Sequence, residues 1–268
     1  MHFSFEMFPP QSHQQHIEFM SMFEDIDFMK PNFISIGQSP IENIYRDAFI
    51  FDVKQKFNLN ICPHLTCVSM SKDKLIELVK KYWEKDIHYI LALRGDFPKD
   101  HALSNDHFIY TKDFIKVLKN IAPFEIIVAG YPEKHPEIAT MEEDILHLKK
   151  KIDAGATAII TQFFFDNDAF LKYRDQVEKA GIHVPLIPGI ISMTNIEKIK
   201  KLSERCNVDM PIWLIEKFQT INPVKYVEEF LLKQCDVLLK EGVKGLHFYT
   251  LNDPSLSIKI CKELGIRG

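Results

Sequence analysis

A chain of 268 residues, 46% of them hydrophobic, is too long for a mini-domain and about right for one α/β barrel, although two smaller domains would also fit. Lysine and arginine number 33 against 37 acidic residues, and a formal charge of -4 gives no whole-molecule attraction for nucleic acid. That balance leaves room for a small anionic cofactor in a local basic patch.

Five scattered cysteines, Cys62, Cys67, Cys206, Cys235 and Cys261, form no C-x-x-C pair, so neither a zinc site nor a redox motif is indicated. A reduced, cytoplasmic setting is the expectation. The start, Met-His-Phe-Ser-Phe-Glu, has no basic leader region. Charged residues interrupt every apolar run short of the roughly 18 residues a membrane helix needs.

In chain order, strands are expected at Phe3–Met7, Phe33–Ile36, Asn60–Thr66, Tyr89–Leu93, Glu125–Tyr131, Ala158–Phe163, Pro185–Gly189 and Gly245–Thr250. Nearly continuous apolar runs such as Tyr89–Leu93 suit strands buried on both faces of a parallel sheet. Between them, Lys72–Lys85, Met141–Asp153 and Tyr226–Lys240 repeat apolar residues at helical spacing. Ser71 is the expected N-cap of the first of these, and Thr140 with Glu143 that of the second. A further helical stretch, Pro211–Phe218, lengthens the last connection and is a candidate cover for the barrel mouth. The alternation predicts a single-domain (β/α)8 TIM barrel over residues 1–268. An open Rossmann sheet would want G-x-G-x-x-G after the first strand, where Phe8-Pro9-Pro10 stands instead.

Polar residues fall at the strand ends, which in a barrel collect at one rim. Glu6 lies among Phe3, Phe5, Met7 and Phe8. It is either a buried carboxylate paired with a cation or an acid whose pKa is raised by desolvation, fit to donate a proton. His64 is a satisfied core histidine or a ligand contact. Arg94-Gly95-Asp96 follows the fourth strand, as a local Arg94–Asp96 pair or as a backbone that a ligand approaches at Gly95. Tyr131 and His135 follow the fifth strand, and Gln162 lies at the end of the sixth. In Lys149-Lys150-Lys151 only one or two side chains can face the mouth, as a solvated face or as a pyrophosphate site. Phe163-Phe164-Phe165 reads as packing. With no His-x-His set at the strand ends, no metal is expected.

The motifs Phe5-Glu6-Met7-Phe8-Pro9-Pro10, Pro63-His64-Leu65-Thr66-Cys67, Ala92-Leu93-Arg94-Gly95-Asp96, Tyr131-Pro132-Glu133-Lys134-His135-Pro136, Asp153-Ala154-Gly155-Ala156, Ile160-Thr161-Gln162-Phe163-Phe164-Phe165-Asp166, Pro188-Gly189-Ile190 and His247-Phe248-Tyr249-Thr250-Leu251-Asn252 occur in this order. Together they closely resemble bacterial methylenetetrahydrofolate reductases, over essentially the whole chain. The resemblance implies a (β/α)8 barrel with non-covalent FAD. In the implied ping-pong reaction, NADH or NADPH reduces the flavin and 5,10-methylenetetrahydrofolate then takes the hydride. It implies Glu6 as the general acid, and Asp96 as the carboxylate that contacts the pterin and tunes the flavin. Gln162 is implied at both nicotinamide and folate. His64, Arg94, Gly95, Asp96, Tyr131, His135, Asp144, Lys150 and Lys151 fall at FAD-contact positions, and Lys198 near the folate. A homo-oligomer is the implied assembly.

The chain departs from the family pattern at Gly37-Gln38-Ser39-Pro40 after the second strand, where Thr-Tyr-Gly-Ala is common. His147 replaces a common Asn, Lys198 a Gln, and Asp253 a common Arg. The loop puts a flavin and nicotinamide contact in question, and Asp253 a grip on the folate's glutamate tail or on a cofactor phosphate. A folate-dependent methyl-transfer protein, or a partner-dependent flavin- or folate-binding paralogue, would use the same barrel.

Overall fold

In the computed structural model, residues 2–38, 44–57, 59–68, 70–96, 106–218 and 223–266 are described. Eight parallel strands pair in chain order and close on themselves, the first against the eighth. The elements are β1 (His2–Met7), α1 (His13–Met29), β2 (Phe33–Ile36), α2 (Ile44–Phe57), β3 (Ile61–Thr66), α3 (Lys72–Glu84), β4 (Tyr89–Leu93), α4 (Thr111–Ile121), β5 (Glu125–Gly130), α5 (Met141–Asp153), β6 (Ala158–Phe163), α6 (Asn167–Lys179), β7 (Leu186–Ile191), α7 (Ile196–Cys206), α8 (Ile212–Phe218), α9 (Pro223–Lys240), β8 (Gly245–Tyr249) and α10 (Ser255–Glu263). The predicted barrel is therefore the observed one. The strands at Phe33–Ile36, Tyr89–Leu93 and Ala158–Phe163 have the expected bounds.

Alternation along each strand divides the core in two. Phe3, Phe5 and Met7 of β1, with Ile34, Ile36, Leu65, Ile90, Ile126 and Val128, face outward and join the helices in the main core. Phe33, Cys62, Leu91, Ile127 and Ile160 face inward and pack with Tyr89, Ile187 and Tyr249 in a second cluster. Phe33 stacks on Tyr89 at 5.6 Å and on His247 at 6.1 Å, so the barrel is filled rather than open. By the same parity Ser4 and Glu6 point inward from β1. The strand that looks apolar from outside therefore carries its polar residues toward the axis.

Helix starts follow local chemistry. Thr140 accepts a bond from the Glu143 N–H at 3.2 Å, as expected of the α5 cap. Ser71 precedes α3 but its side chain makes no capping bond. There the Lys72 N–H donates to the Asp106 carbonyl at 2.7 Å, so a tertiary partner occupies a donor the serine could have served.

Between β6 and β7 the register shifts from Ile160 to Phe163. Gly189 of β7 lies so close to its neighbours that a Cβ there would sit 2.2 Å from the Thr161 carbonyl and 2.5 Å from the Tyr249 ring. Through this gap the Tyr249 hydroxyl donates to the Thr161 carbonyl at 2.8 Å, from β8 past β7 to β6.

Candidate active site

Glu6 sits near the C-terminal end of β1, paired with Ser35 and Tyr249 of its two neighbouring strands. Its side chain is only 13% exposed, and its Oε2 lies 3.4 Å from His64 Nε2 of β3 without the alignment of a hydrogen bond. Burial pushes the Glu6 carboxyl up to about 8. His64 is pushed down to about 3, by its own burial first and then by His247 and the Arg46 guanidinium. Near neutral pH the pair is therefore a protonated acid beside a neutral imidazole, not an ion pair. The salt-bridge alternative would need a lysine or arginine at Glu6, and among the described residues the ion-pair contact of Glu6 is to His64.

The surroundings hold the pair in place. Arg46, buried in α2, donates from Nη2 to the His64 carbonyl at 2.6 Å, from Nε to the Gly37 carbonyl at 3.3 Å and from Nη1 to the Tyr82 hydroxyl at 3.2 Å. It thereby ties the ends of β2 and β3 together. Thr250 Oγ1 donates to the Glu6 carbonyl at 2.6 Å. One layer below, His247 Nδ1 shares a hydrogen with Ser4 Oγ at 2.7 Å. Burial lowers His247 to about 3 as well. His247 and Tyr249 alternate with buried Leu246 and Phe248, so their inward placement could have been read from β8's own sequence.

A cavity of about 580 Å³ opens beside β4, β5 and α5, within the size range of cofactor pockets. Its polar lining includes Arg94, Tyr131, His135, Asp144, Lys150 and Lys151. Six of the sequence-predicted positions thus meet in one space. Lys149 does not; it pairs with Asp153 at 3.1 Å on the solvated side of α5. Lys151 Nζ donates to the Ala129 carbonyl at 3.2 Å, and burial lowers its ammonium to about 8 despite the opposing pull of Asp144. Asp144 is buried and accepts the His135 N–H at 3.0 Å. His135 Nδ1 accepts the Glu137 N–H at 3.1 Å, which leaves the ring proton on Nε2.

Arg94 pairs with Glu137 at 2.7 Å rather than with Asp96, the local pair considered from sequence. Its Nε also donates to the Gly95 carbonyl at 3.1 Å, so the guanidinium is fixed at the rim. Gly95 has φ +83°, and a Cβ there would meet Thr66 Cβ at 2.7 Å. Close packing on β3 thus requires glycine independently of any ligand. Asp96 is exposed at the end of the same turn. The far wall of the cavity, Ile109, Tyr110, Thr111 and Lys112, was not among the expected residues. Only the fold brings that segment to α5.

Of the remaining predicted positions, Gln162 is half-buried and accepts the Phe163 N–H at 3.0 Å through its own Oε1. Phe163, Phe164 and Phe165 all belong to the core, as the packing reading required. Lys198 is exposed on α7, away from the cavity just described. In the departing loop, Gln38 Oε1 accepts both the N–H and the hydroxyl of Thr66, at 2.9 and 3.1 Å. Ser39 and Pro40 lie outside the described residues. Asp253 Oδ1 accepts from the Ser255 N–H and hydroxyl, as a local turn.

The family model of methylenetetrahydrofolate reductase matches residues 1–265. The chain belongs to the methylenetetrahydrofolate reductase family. Among its relatives, the 5,10-methylenetetrahydrofolate reductase of Escherichia coli is 37% identical over 98% of this chain and 90% of its own length. The enzyme of the same name from Buchnera aphidicola subsp. Schizaphis graminum is 39% identical over 98% and 91%. In architecture, a Clostridium thermocellum protein described as binding two copies of 5-methyl-5,6,7,8-tetrahydrofolic acid superposes with TM-score 0.71 at 13% identity, covering 98% of this chain and 94% of that one. At that identity the likeness speaks for the fold alone.

Membership of the methylenetetrahydrofolate reductase family places the chain among oxidoreductases, which gives the geometry a chemical context. A dinucleotide needs cations for its pyrophosphate and apolar walls for its rings. The cavity offers Arg94, Lys150 and Lys151 for the first, and Leu93, Ile109, Tyr110 and Ile138 for the second. The residues present therefore fit FAD. Within the stretch expected to cover the mouth, helix α8 packs on α9.

Proposed function

We propose that this protein reduces 5,10-methylenetetrahydrofolate to 5-methyltetrahydrofolate, with FAD as its prosthetic group and NADH or NADPH as electron source, in two half-reactions on one face of the barrel. The observation that carries the reading is a buried Glu6, its carboxyl raised by that burial, at the same barrel end as a cation-lined cavity. A carboxylic acid with its pKa near 8 holds its proton at neutral pH and can give it to a weakly basic nitrogen.

In this mechanism Glu6 protonates N10 of the folate. The bond from N10 to the bridging carbon then breaks, its electron pair going to N10, and the carbon remains on N5 as an iminium cation. When bound, FAD supplies the hydride that turns this carbon into the methyl group. His64, neutral and 3.4 Å from Glu6, does not compete for the proton. Arg46 and Thr250 fix the two strands from which the pair projects. In this reading Asp96 and Gln162 position the pterin, and Lys198 lies toward the rest of the folate. Arg94, Gly95, Tyr131, His135, Asp144, Lys150, Lys151 and His64 hold the cofactor. The same reading extends to a cytoplasmic homo-oligomer.

The purified protein is expected to be yellow, with a flavin absorption spectrum. Anaerobic stopped flow is expected to resolve bleaching by nicotinamide and re-oxidation by the folate on one preparation. A flavin that nicotinamide reduces but the folate never re-oxidises would overturn the assignment and favour a partner-dependent protein.

A further inference from the structure

One pleat above the acid, β1 and β2 bring a second pair of residues together. Side chains alternate along β1, so Ser4 and Glu6 point toward the barrel axis and Phe8 follows them on the same side. Regular strand structure ends at Met7, but the Gly37 N–H still donates to the Met7 carbonyl at 2.8 Å and carries the pairing with β2 one step further. Phe8 therefore stands opposite Gly37 as Glu6 stands opposite Ser35, about 6–7 Å nearer the mouth. A Cβ on Gly37 would lie 3.1 Å from Phe8 Cδ1, so glycine leaves room for that ring over the strand end. From the β8 side, Asn252 Oδ1 accepts the Phe8 N–H at 2.6 Å. Leu251 and Asn252 both take left-handed backbone angles, φ +51° and +68°, which is rare for leucine, and the turn they make brings that amide to β1. The ring so held is 41% exposed. A large apolar side chain at a surface is ordinary in itself. This one is fixed from both neighbouring strands, directly above the acid.

We propose that Phe8 is a substrate-binding residue whose ring stacks on the p-aminobenzoyl ring of the folate. The proposal rests on the folate reading above. N10, the nitrogen that Glu6 is to protonate, is bonded directly to that aryl ring. Below the acid the barrel is filled, with Phe33 stacked on Tyr89 and His247. A folate placed with N10 at the Glu6 carboxyl must therefore carry its aryl ring toward the mouth. Phe8 is the side chain that β1 presents at that height. Offset stacking fixes the plane of the aryl ring, and the N10 lone pair, conjugated with that ring, is fixed with it. The contact thus aims the nitrogen at the acid. The pterin lies on the other side of N10 and gains nothing from it.

The test compares equilibrium binding of two ligands to the flavin-loaded protein: 5-methyltetrahydrofolate, and 5-methyltetrahydropterin, which ends before N10. Phe8→Leu is expected to weaken the folate about two- to tenfold, the scale of an aromatic pair beyond its buried area, and to leave the pterin near its unmodified affinity. Phe8→Tyr, which keeps the ring, is expected to retain most of the folate affinity. Flavin content and thermal midpoint report that both variants are folded. Equal loss of the two ligands in Phe8→Leu would make Phe8 a support of the strand end, and unchanged folate binding would remove it from the site; either result overturns the proposal. So would a Phe8→Tyr variant as weak as the leucine one. A folate-selective loss in a protein whose flavin the methylene folate never re-oxidises would instead leave the contact standing and overturn the reductase reading.

Discussion

The two halves of the site achieve opposite electrostatic ends. Around Glu6 burial favours the uncharged forms of the titratable groups, raising the Glu6 carboxyl to about 8 and lowering His64 and His247 to about 3. Beside α5, Lys150, Lys151 and Arg94 line a cavity that opens to solvent. The same physics acts in both places. Desolvation penalises ionisation, and only where opposite charge is close and water near does the ion survive. Lys151 stands at the border, with burial lowering its ammonium and Asp144 opposing that shift. An acid catalyst must sit in the first kind of region and a phosphate anchor in the second.

The sharpest way to break this contrast is to remove the acid alone. Glu6→Gln keeps the shape and loses the proton, so the folate half-reaction should slow by about 10²–10⁴-fold while nicotinamide still reduces the flavin. Equal slowing of both halves would mean that Glu6 supports the flavin instead. On the charged side, Lys150→Ala with Lys151→Ala should weaken FAD retention by roughly 10- to 100-fold for each charge-assisted bond lost. Unchanged affinity by equilibrium dialysis would remove α5 from the cofactor site.

A pH series probes both regions at once. The Glu6 carboxyl, at about 8, holds its proton below that pH and loses it above, so the folate half-reaction should fall about tenfold per pH unit beyond pH 8. Lys151, also at about 8, carries its charge below that pH, so FAD should dissociate more readily above it. A flavin-saturated rate that stays level to pH 10 would contradict the role given to Glu6. The smallest effect belongs to Thr140→Ala. Loss of the α5 cap should cost about 0.5–2 kcal/mol of stability. It should loosen the cofactor side while leaving the pH midpoint of the acid in place, which thermal melts and pH profiles together would show.

What could be read from the sequence tracks how local each cause is. Tyr89–Leu93 and Ala158–Phe163 were legible because strands buried on both faces leave an unbroken apolar run. Glu6 was legible as an acid among phenylalanines. The partners of other site residues were not: Arg46 reaches His64 only because α2 packs against β3, and Glu137 finds Arg94 across the ends of two strands. The wall at Ile109–Lys112 shows no pattern of its own and acquires meaning only when the barrel closes. Likewise Ser71 has the residue type of a cap, but the neighbouring donor turns to the Asp106 carbonyl instead.

The bridge from Tyr249 to Thr161 makes the barrel behave as a braced frame rather than as eight separate staves. Because Gly189 leaves a notch in β7, a hydroxyl on β8 sets the position of the carbonyl immediately before Gln162 on β6. Removing that single oxygen leaves every ladder bond in place, yet it slackens a hydrogen bond that skips a strand. Gln162 and Glu6 are thereby coupled through their shared neighbour Tyr249, whose register partner is Glu6 itself. A residue outside the proposed chemistry can thus influence the distance between two that are proposed to take part in it.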